Sequence, residues 1–417
     1  MNNTCRRLRR SAAVHPRVVL CWAVVAALVA GGMYAVAPWI LPARVLEGPL
    51  VQMATENAVA LVWYTTRPTA CRALVTVGDQ QLSLDARGEG SRYVAHVTGL
   101  SPGTSYPYEI RAGNRRLVGG LSFQTNRAAD QRFNFLVFGD SGSGSRAQYL
   151  LGGLMARTLP PADFLLHTGD LVYPDGLRER YEARFFAPYR SLLARVNFWP
   201  CLGNHDVQKE DGRAPAYESV FELPANGPSG EPPDHHYWFD CAAARVAVIN
   251  SDVDEAALAG RVAPWLREIM ADPRPRWRFV AFHHPPYTGG KYQPDERIQR
   301  TLVPLLETTG VDVVFSGHDH TYQRTHPLHG GQVAAAGEGV VYVVTGAGGA
   351  SLYEPRNPSP DYLACFESTV FSFTQISVDG TELTGRQISS TGQTLDQWIL
   401  RKTTATTAPS TSPAATE

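Results

Sequence analysis

Five short blocks in this 417-residue chain place metal-binding side chains just after apolar runs. Gly139-Asp140-Ser141-Gly142 follows the apolar run 133–138, and Gly169-Asp170-Leu171-Val172-Tyr173 follows the run 164–168. Gly203-Asn204-His205-Asp206 ends a third run, His283-His284-Pro285 a fourth, and Gly317-His318-Asp319-His320 a fifth. The donor set is Asp140, Asp170, Tyr173, Asn204, His283, His318 and His320. Carboxylates, a phenol, an amide oxygen and imidazoles suit Fe, Mn or Zn. Seven donors are too many for one tetrahedral ion and match two ions that share a carboxylate. Such ions, ~3.5–4 Å apart, form the clamp used for in-line attack on phosphorus. His318 and His320 alternate on an extended segment and so point to opposite sides, as donors to two different ions would. An aspartate after a glycine is often only a turn residue. The joint occurrence of the blocks carries the metal reading.

The elements that must position these residues follow from the runs themselves. Short β-branched and aromatic stretches fit strands buried on both faces. Helix-capable segments lie between them, such as 147–157 and 179–195. Alternation of strand and helix predicts an α/β domain over 132–401, and donors after each strand predict a site along one sheet edge, where open α/β sheets collect ligands. The glycine ahead of each donor lets the backbone turn sharply and approach a ligand closely.

Residues 45–126 read differently. Alternating runs at 58–64, 73–77, 93–97 and 108–112 are separated by Gly, Pro, Asn and Asp turns, which predicts an all-β sandwich. The string Leu100-Ser101-Pro102-Gly103-Thr104-Ser105-Tyr106 resembles a fibronectin type III domain, in which such a turn leads into a strand with a buried tyrosine. Trp63 is expected in the core, and the segment holds no donor cluster.

In order, Gly-Asp-x-Gly, Gly-Asp-x-x-Tyr, Gly-Asn-His-Asp, His-x-Pro and Gly-His-x-His resemble the calcineurin-like metallophosphoesterases. The tyrosine of the second block and the preceding sandwich narrow the resemblance to purple acid phosphatases, as do the segment 317–324 and Val344-Thr345-Gly346-Ala347-Gly348-Gly349. It covers about 45–395. The fold it implies has two β-sheets flanked by helices. It also implies that Asp140, Tyr173 and His320 hold a ferric ion, and that Asn204, His283 and His318 hold divalent Fe, Zn or Mn. Asp170 would bridge them, and His205 would serve the leaving group. The implied reaction is hydrolysis of phosphate monoesters by metal-bound hydroxide, of the acid phosphatase type; a tyrosinate on Fe(III) would give a visible colour. Two features depart from the family pattern. His284 stands where a small residue is usual: pairing by the proline makes His283 the ligand, and the spacing leaves the reverse open. The segment 287–292 lacks histidines that some members place near the substrate, and Lys291, Tyr292 and His326 are candidates to replace them.

The ends of the chain bear on its location. Five arginines and no acidic residue occupy 1–17, and no charge interrupts 18–41, a length sufficient to cross a bilayer. The positive-inside rule places the N-terminus in the cytoplasm and the rest outside. Ala35-Val36-Ala37 has the look of a cleavage site, but Pro38 would follow the cut, which favours an uncleaved anchor over a secreted product. Residues 403–417, rich in Ser, Thr, Pro and Ala, cannot build a core and are expected to be disordered. Cys71, Cys201, Cys241 and Cys365 could form disulfides in that compartment. A net charge of -1 gives no reason to expect nucleic acid. The partners expected are a small phosphorylated substrate and the membrane. The same core could serve a phosphodiesterase or nucleotide pyrophosphatase, or survive in a cell-surface binding protein with a dead site.

Overall fold

The computed structural model describes residues 42–208, 212–335, 337–356 and 359–403. The expected anchor at 18–41, the basic segment before it and the tail beyond 403 lie outside the described residues. Among the described residues, no helix is long and apolar enough to cross a membrane.

The chain from Val45 to Gln124 forms two four-stranded antiparallel sheets. One orders Val45–Gln52, Ala58–Thr65, Arg92–Thr98 and Arg87–Glu89; the other orders Gln80–Asp85, Cys71–Val77, Ser105–Ala112 and Arg115–Gln124. Alternation decides which side chains fill the space between them. Tyr106, Tyr108 and Ile110 turn inward and meet Leu61, Trp63, Val75 and Phe123 in one core. Trp63 is fully buried and stacks on Tyr93 at 5.9 Å. The hydroxyl of Tyr106 accepts from the Ser101 amide at 2.7 Å, which pins the turn before its strand.

The remaining strands form two larger sheets. The six-stranded sheet orders Asn197–Pro200, Phe164–His167, Phe133–Phe138, Ser372–Asp379, Glu382–Ser389 and Thr394–Arg401. The seven-stranded sheet orders Tyr237–Cys241, Ala244–Val248, Trp277–Ala281, Val313–Ser316, Val341–Thr345, Tyr322–Thr325 and Leu363–Glu367. The first three strands of the six are parallel, as are the four from Ala244–Val248 to Val341–Thr345 in the seven. This corrects the expectation of a single sheet edge: three donor strands lie in one sheet and two in the other. A run buried on both faces fits either sheet, and its composition does not say which strands pair. Phe135 shows the layering, with its ring 4.5 Å from Phe164 in its own sheet and 5.3 and 5.9 Å from Phe279 and Phe315 in the other.

Helices cover the outer faces. Arg146–Met155 is capped by Ser145, whose hydroxyl accepts from the Gln148 amide. The stretch expected as one helix over 179–195 is broken instead into a 3₁₀ turn at Arg178–Arg180, a π turn at Glu182–Phe186 and an α-helix at Ala187–Leu193. Pro188 explains the break, because it has no N–H for the carbonyl four residues back. That carbonyl, on Arg184, accepts from Gln148 Nε2 at 2.6 Å.

The sandwich and the two larger sheets share a core: Leu50, Val62 and Tyr64 join the cluster that contains Phe186 and Phe198. Arg178 pairs with Glu47 across this junction at 2.9 Å. All four described cysteines are free thiols, so no disulfide forms among the described residues. Burial pushes the Cys201 and Cys241 thiols well up, which keeps them unreactive.

Candidate metal centre

Parallel strands carry their carboxyl ends to the same side, and the two sheets meet there along a shared rim. The structure gathers all seven expected donors at that rim in two groups. In one, the Tyr173 hydroxyl lies 2.9 Å from His320 Nε2 and 3.3 Å from Asp140 Oδ1. In the other, Asn204 Oδ1 lies 3.0 Å from His318 Nδ1 and 3.1 Å from His283 Nε2. Asp170 stands between them: its Oδ1 is 3.5 Å from His283 Nε2, and its carboxylate also clusters with Asp140 and His320.

The backbone at these positions is unusual. Asp140, Asp170 and His318 hold φ of 53, 59 and 67°, a region that side-chain-bearing residues rarely adopt. Among the preceding glycines, Gly169 makes the sharp turn, with φ of 100°, while Gly139 and Gly317 serve close approach. A Cβ on Gly317 would lie 2.4 Å from an Asp140 oxygen, and one on Gly139 would lie 2.0 Å from Thr168 Oγ1. Gly139 and Gly317 leave room for close packing, while the donors that follow them carry the left-handed backbone.

Hydrogen bonding fixes which nitrogen of two of the imidazoles is free. His283 donates from Nδ1 to the Thr168 carbonyl at 2.9 Å, and His320 donates from Nδ1 to the Ser351 carbonyl at 2.7 Å. Each Nε2 therefore presents a lone pair. The lone pair of His283 faces Asn204 Oδ1, which also has only lone pairs to offer. Acceptors held ~3 Å apart with no proton between them match donors placed at ~2.1 Å around a shared cation. The ionisation pattern agrees. Burial and the neighbouring Asp170 push Asp140 well up, and burial with both carboxylates pushes Tyr173 well up. Burial pushes His318 down to about 3 and His320 down to about 4, which keeps both in the neutral, ligating form. A cation is what this concentration of lone pairs and carboxylates lacks, so the residues fit two metal ions.

A second layer holds the donors. Asp206, buried, accepts from the amides of Leu171 at 2.9 Å and Gly203 at 3.0 Å and so ties two donor loops together. Asp170 accepts from the His205 amide at 2.9 Å. His167 accepts at Nδ1 from Gly169 and donates from Nε2 to Ser141 at 2.9 Å, with burial pushing its pKa down to about 3. His205 lies over Tyr173 at 4.7 Å and donates from Nδ1 to the Pro174 carbonyl at 2.6 Å, which leaves Nε2 free. His284 does not share the Asn204 contact. Its Nδ1 engages Ser251 at 2.9 Å and its ring flanks that of His318 at 4.5 Å.

Tyr292 stacks on His318, with ring centroids 4.1 Å apart. His326 shares no contact with the centre among the described residues. His235 pairs with Glu218 at 3.0 Å, and His236 is buried against Trp265, both away from the donors. Sequence reasoning missed Ser251, Asp206, Asp319 and Tyr353. Ser251 had a signal, since 246–249 is another apolar run that ends in polar residues. Tyr353, which stacks on His320 at 4.0 Å, had none.

Residues 133–322 match the model of the calcineurin-like phosphoesterases, and residues 339–397 match that of the iron/zinc purple acid phosphatase-like protein C-terminal region. The chain belongs to the purple acid phosphatase-like metallophosphoesterases. This hydrolase is 26% identical over 371 residues to an uncharacterized protein of Mycobacterium tuberculosis, covering 73% of this chain and 68% of that protein. It is 25% identical to tartrate-resistant acid phosphatase type 5 of Homo sapiens, covering 64% of this chain and 90% of that one. A purple acid phosphatase from yellow lupin seeds shares the fold with a TM-score of 0.74 at 18% identity, covering 88% of this chain and 77% of that one. The family uses a dinuclear metal centre, and the seven gathered residues are candidate ligands for it.

Proposed function

We propose that the chain hydrolyses phosphate monoesters at acid pH. Asp140, Tyr173 and His320 would hold a ferric ion, and Asn204, His283 and His318 would hold divalent Fe, Zn or Mn, with Asp170 between the two ions. The observation that carries this reading is the phenol of Tyr173 at 2.9 Å from His320 and 3.3 Å from Asp140, a third oxygen donor where a two-carboxylate site would need none. When bound, the ions supply Lewis-acid neutralisation of the phosphoryl oxygens and a nucleophile at low pH. The chain's own contribution is placement. The Asp206 carboxylate fixes the separation of the Asp170 and Asn204 loops. His205, anchored through Nδ1–H to Pro174, can carry a proton on Nε2 and deliver it to the departing oxygen. The Arg-flanked apolar segment at 18–41 supports a membrane anchor with the catalytic region outside the cytoplasm.

The test is metal analysis, a visible spectrum and hydrolysis of phenyl phosphate across pH. Two ions, a violet band and an acid optimum are expected. Asp170→Asn should lose both metal retention and turnover. Unchanged turnover in that variant would refute the bridging role, and a colourless two-metal protein that prefers diesters would refute the ferric phosphomonoesterase.

A further inference from the structure

Only three of the 38 basic residues are lysines, Lys209, Lys291 and Lys402, and Lys291 stands at the rim of the centre. Its ammonium lies 4.2 Å from the Tyr353 ring and 5.2 Å from the Tyr292 ring. Those two rings meet edge to face at 5.8 Å. Each lies flat on a donor of a different group: Tyr292 on His318 at 4.1 Å and Tyr353 on His320 at 4.0 Å. The rings therefore form a shelf across both halves of the centre, with a cation above it. Lys291 is exposed and makes no ion pair with a carboxylate among the described residues.

The backbone beneath Lys291 is locked. Asp319, the residue between the two donor histidines, accepts from the Lys291 amide at 2.8 Å, the Tyr292 amide at 3.3 Å and the Thr288 hydroxyl. Arg356 donates to the carbonyls of Thr288 at 2.8 Å and Tyr292 at 2.9 Å. Gly290 has to lack a side chain, because a Cβ there would sit 2.6 Å from the Asp319 carboxyl. Asp319 and Arg356 are both consumed in holding the loop. Lys291 is held by the same loop, its ammonium rests on the two rings and pairs with no carboxylate among the described residues, and a cation so placed is arranged for a ligand's charge.

We propose that Lys291, poised over the Tyr292–Tyr353 shelf, binds a second phosphoryl group of the substrate, so that the centre favours phosphorylated substrates with further negative charge beyond the reacting phosphate. This rests on the two-metal reading above. No bond is made or broken at Lys291; it determines specificity through charge. The contact is charge-assisted and partly exposed, so an effect of about tenfold is expected.

The experiment is calorimetric titration of the metal-loaded full chain and its Lys291→Gln variant with two non-hydrolysable probes, methylenediphosphonate and methylphosphonate. Lys291→Gln should weaken methylenediphosphonate about tenfold and change methylphosphonate less than about twofold. Equal weakening of both probes, or no weakening of the diphosphonate, overturns the proposal. Phenyl phosphate turnover by the same preparations separates the two readings. A differential loss in binding without any turnover would sink the phosphatase reading and leave this one standing. Turnover without a differential loss would do the reverse.

Discussion

His205 enters the site with one nitrogen committed to the Pro174 carbonyl and the other free. If its role is to protonate the departing oxygen, the variant His205→Ala should lower kcat by about 10²-fold for phenyl phosphate, within the range that general acids supply. The loss should shrink for p-nitrophenyl phosphate, whose leaving group needs no proton. An equal loss for both esters would assign His205 to stabilising charge on the phosphoryl group rather than to protonating the leaving oxygen. The residues of this scale were readable to different degrees. The donors were legible because each sits in a block whose residue types make chemical sense together. Tyr353 was not, because it reaches His320 only through the path of the chain after the Val341–Thr345 strand. His283 and His284 both lie in a cluster with His318 that could hold an ion, and they differ in their partners, Asn204 for one and Ser251 for the other, which spacing alone does not contain.

At the scale of elements, the strand-to-loop junctions tolerate little added volume. A methyl on Gly203 would lie 2.2 Å from Asp170 Oδ1 and 2.3 Å from the Asp170 amide. Gly203→Ala should therefore displace the Asp170 carboxylate. The expected cost is about 1–3 kcal/mol of stability, with bound metal falling below two ions per chain. Gly260, in the π turn Leu258–Val262, has nothing within 4 Å of an added Cβ. Gly260→Ala should be neutral or stabilise by up to ~1 kcal/mol through backbone entropy. Thermal melting and metal analysis of the pair check both, and wild-type metal content in Gly203→Ala would show that the junction relaxes. The same junctions explain what the sequence concealed at this scale. Apolar runs marked the strands, but their division between two sheets depends on contacts such as that of Phe135 with Phe279 and Phe315. Pairing of this kind is set by long-range packing, which local composition does not encode. The irregular helix over 178–193 was hidden for a different reason: it needs both Pro188 and a partner for the Arg184 carbonyl.

The whole molecule is held at two junctions by carboxylates that respond oppositely to acid, which matters for a protein proposed to work at low pH. Asp163 joins the end of the sandwich to the Phe133–Phe138 strand. It accepts from Gln124 at 2.8 Å, Arg127 at 2.7 Å and the Asn134 amide at 2.8 Å. Burial dominates there and raises its pKa above the ordinary 3.8 in spite of these donors. Asp396 joins the two larger sheets through Arg324 at 2.7 Å and the Tyr322 hydroxyl at 2.7 Å. Burial would raise its pKa too, but the hydrogen bonds and charge of Arg324, with Tyr322, outweigh it and hold Asp396 below 3.8. Linkage fixes the signs. The folded state takes up a proton at Asp163 more readily than the unfolded chain. Its pH-dependent contribution is complete below 3.8 and is lost as pH rises through the raised value. For Asp396 the contribution is present above 3.8 and is lost as pH falls through the lowered value. Two variants separate these effects by denaturant unfolding between pH 7 and 3. The stability of wild type relative to Asp163→Asn should rise on acidification and level off near pH 3.8. Its stability relative to Asp396→Asn should fall as pH drops below about 3.8. The opposite slopes are the diagnostic, because any fixed structural cost of either substitution shifts a curve without tilting it. Parallel curves for the two variants would mean that neither junction carries a proton-linked part of the stability.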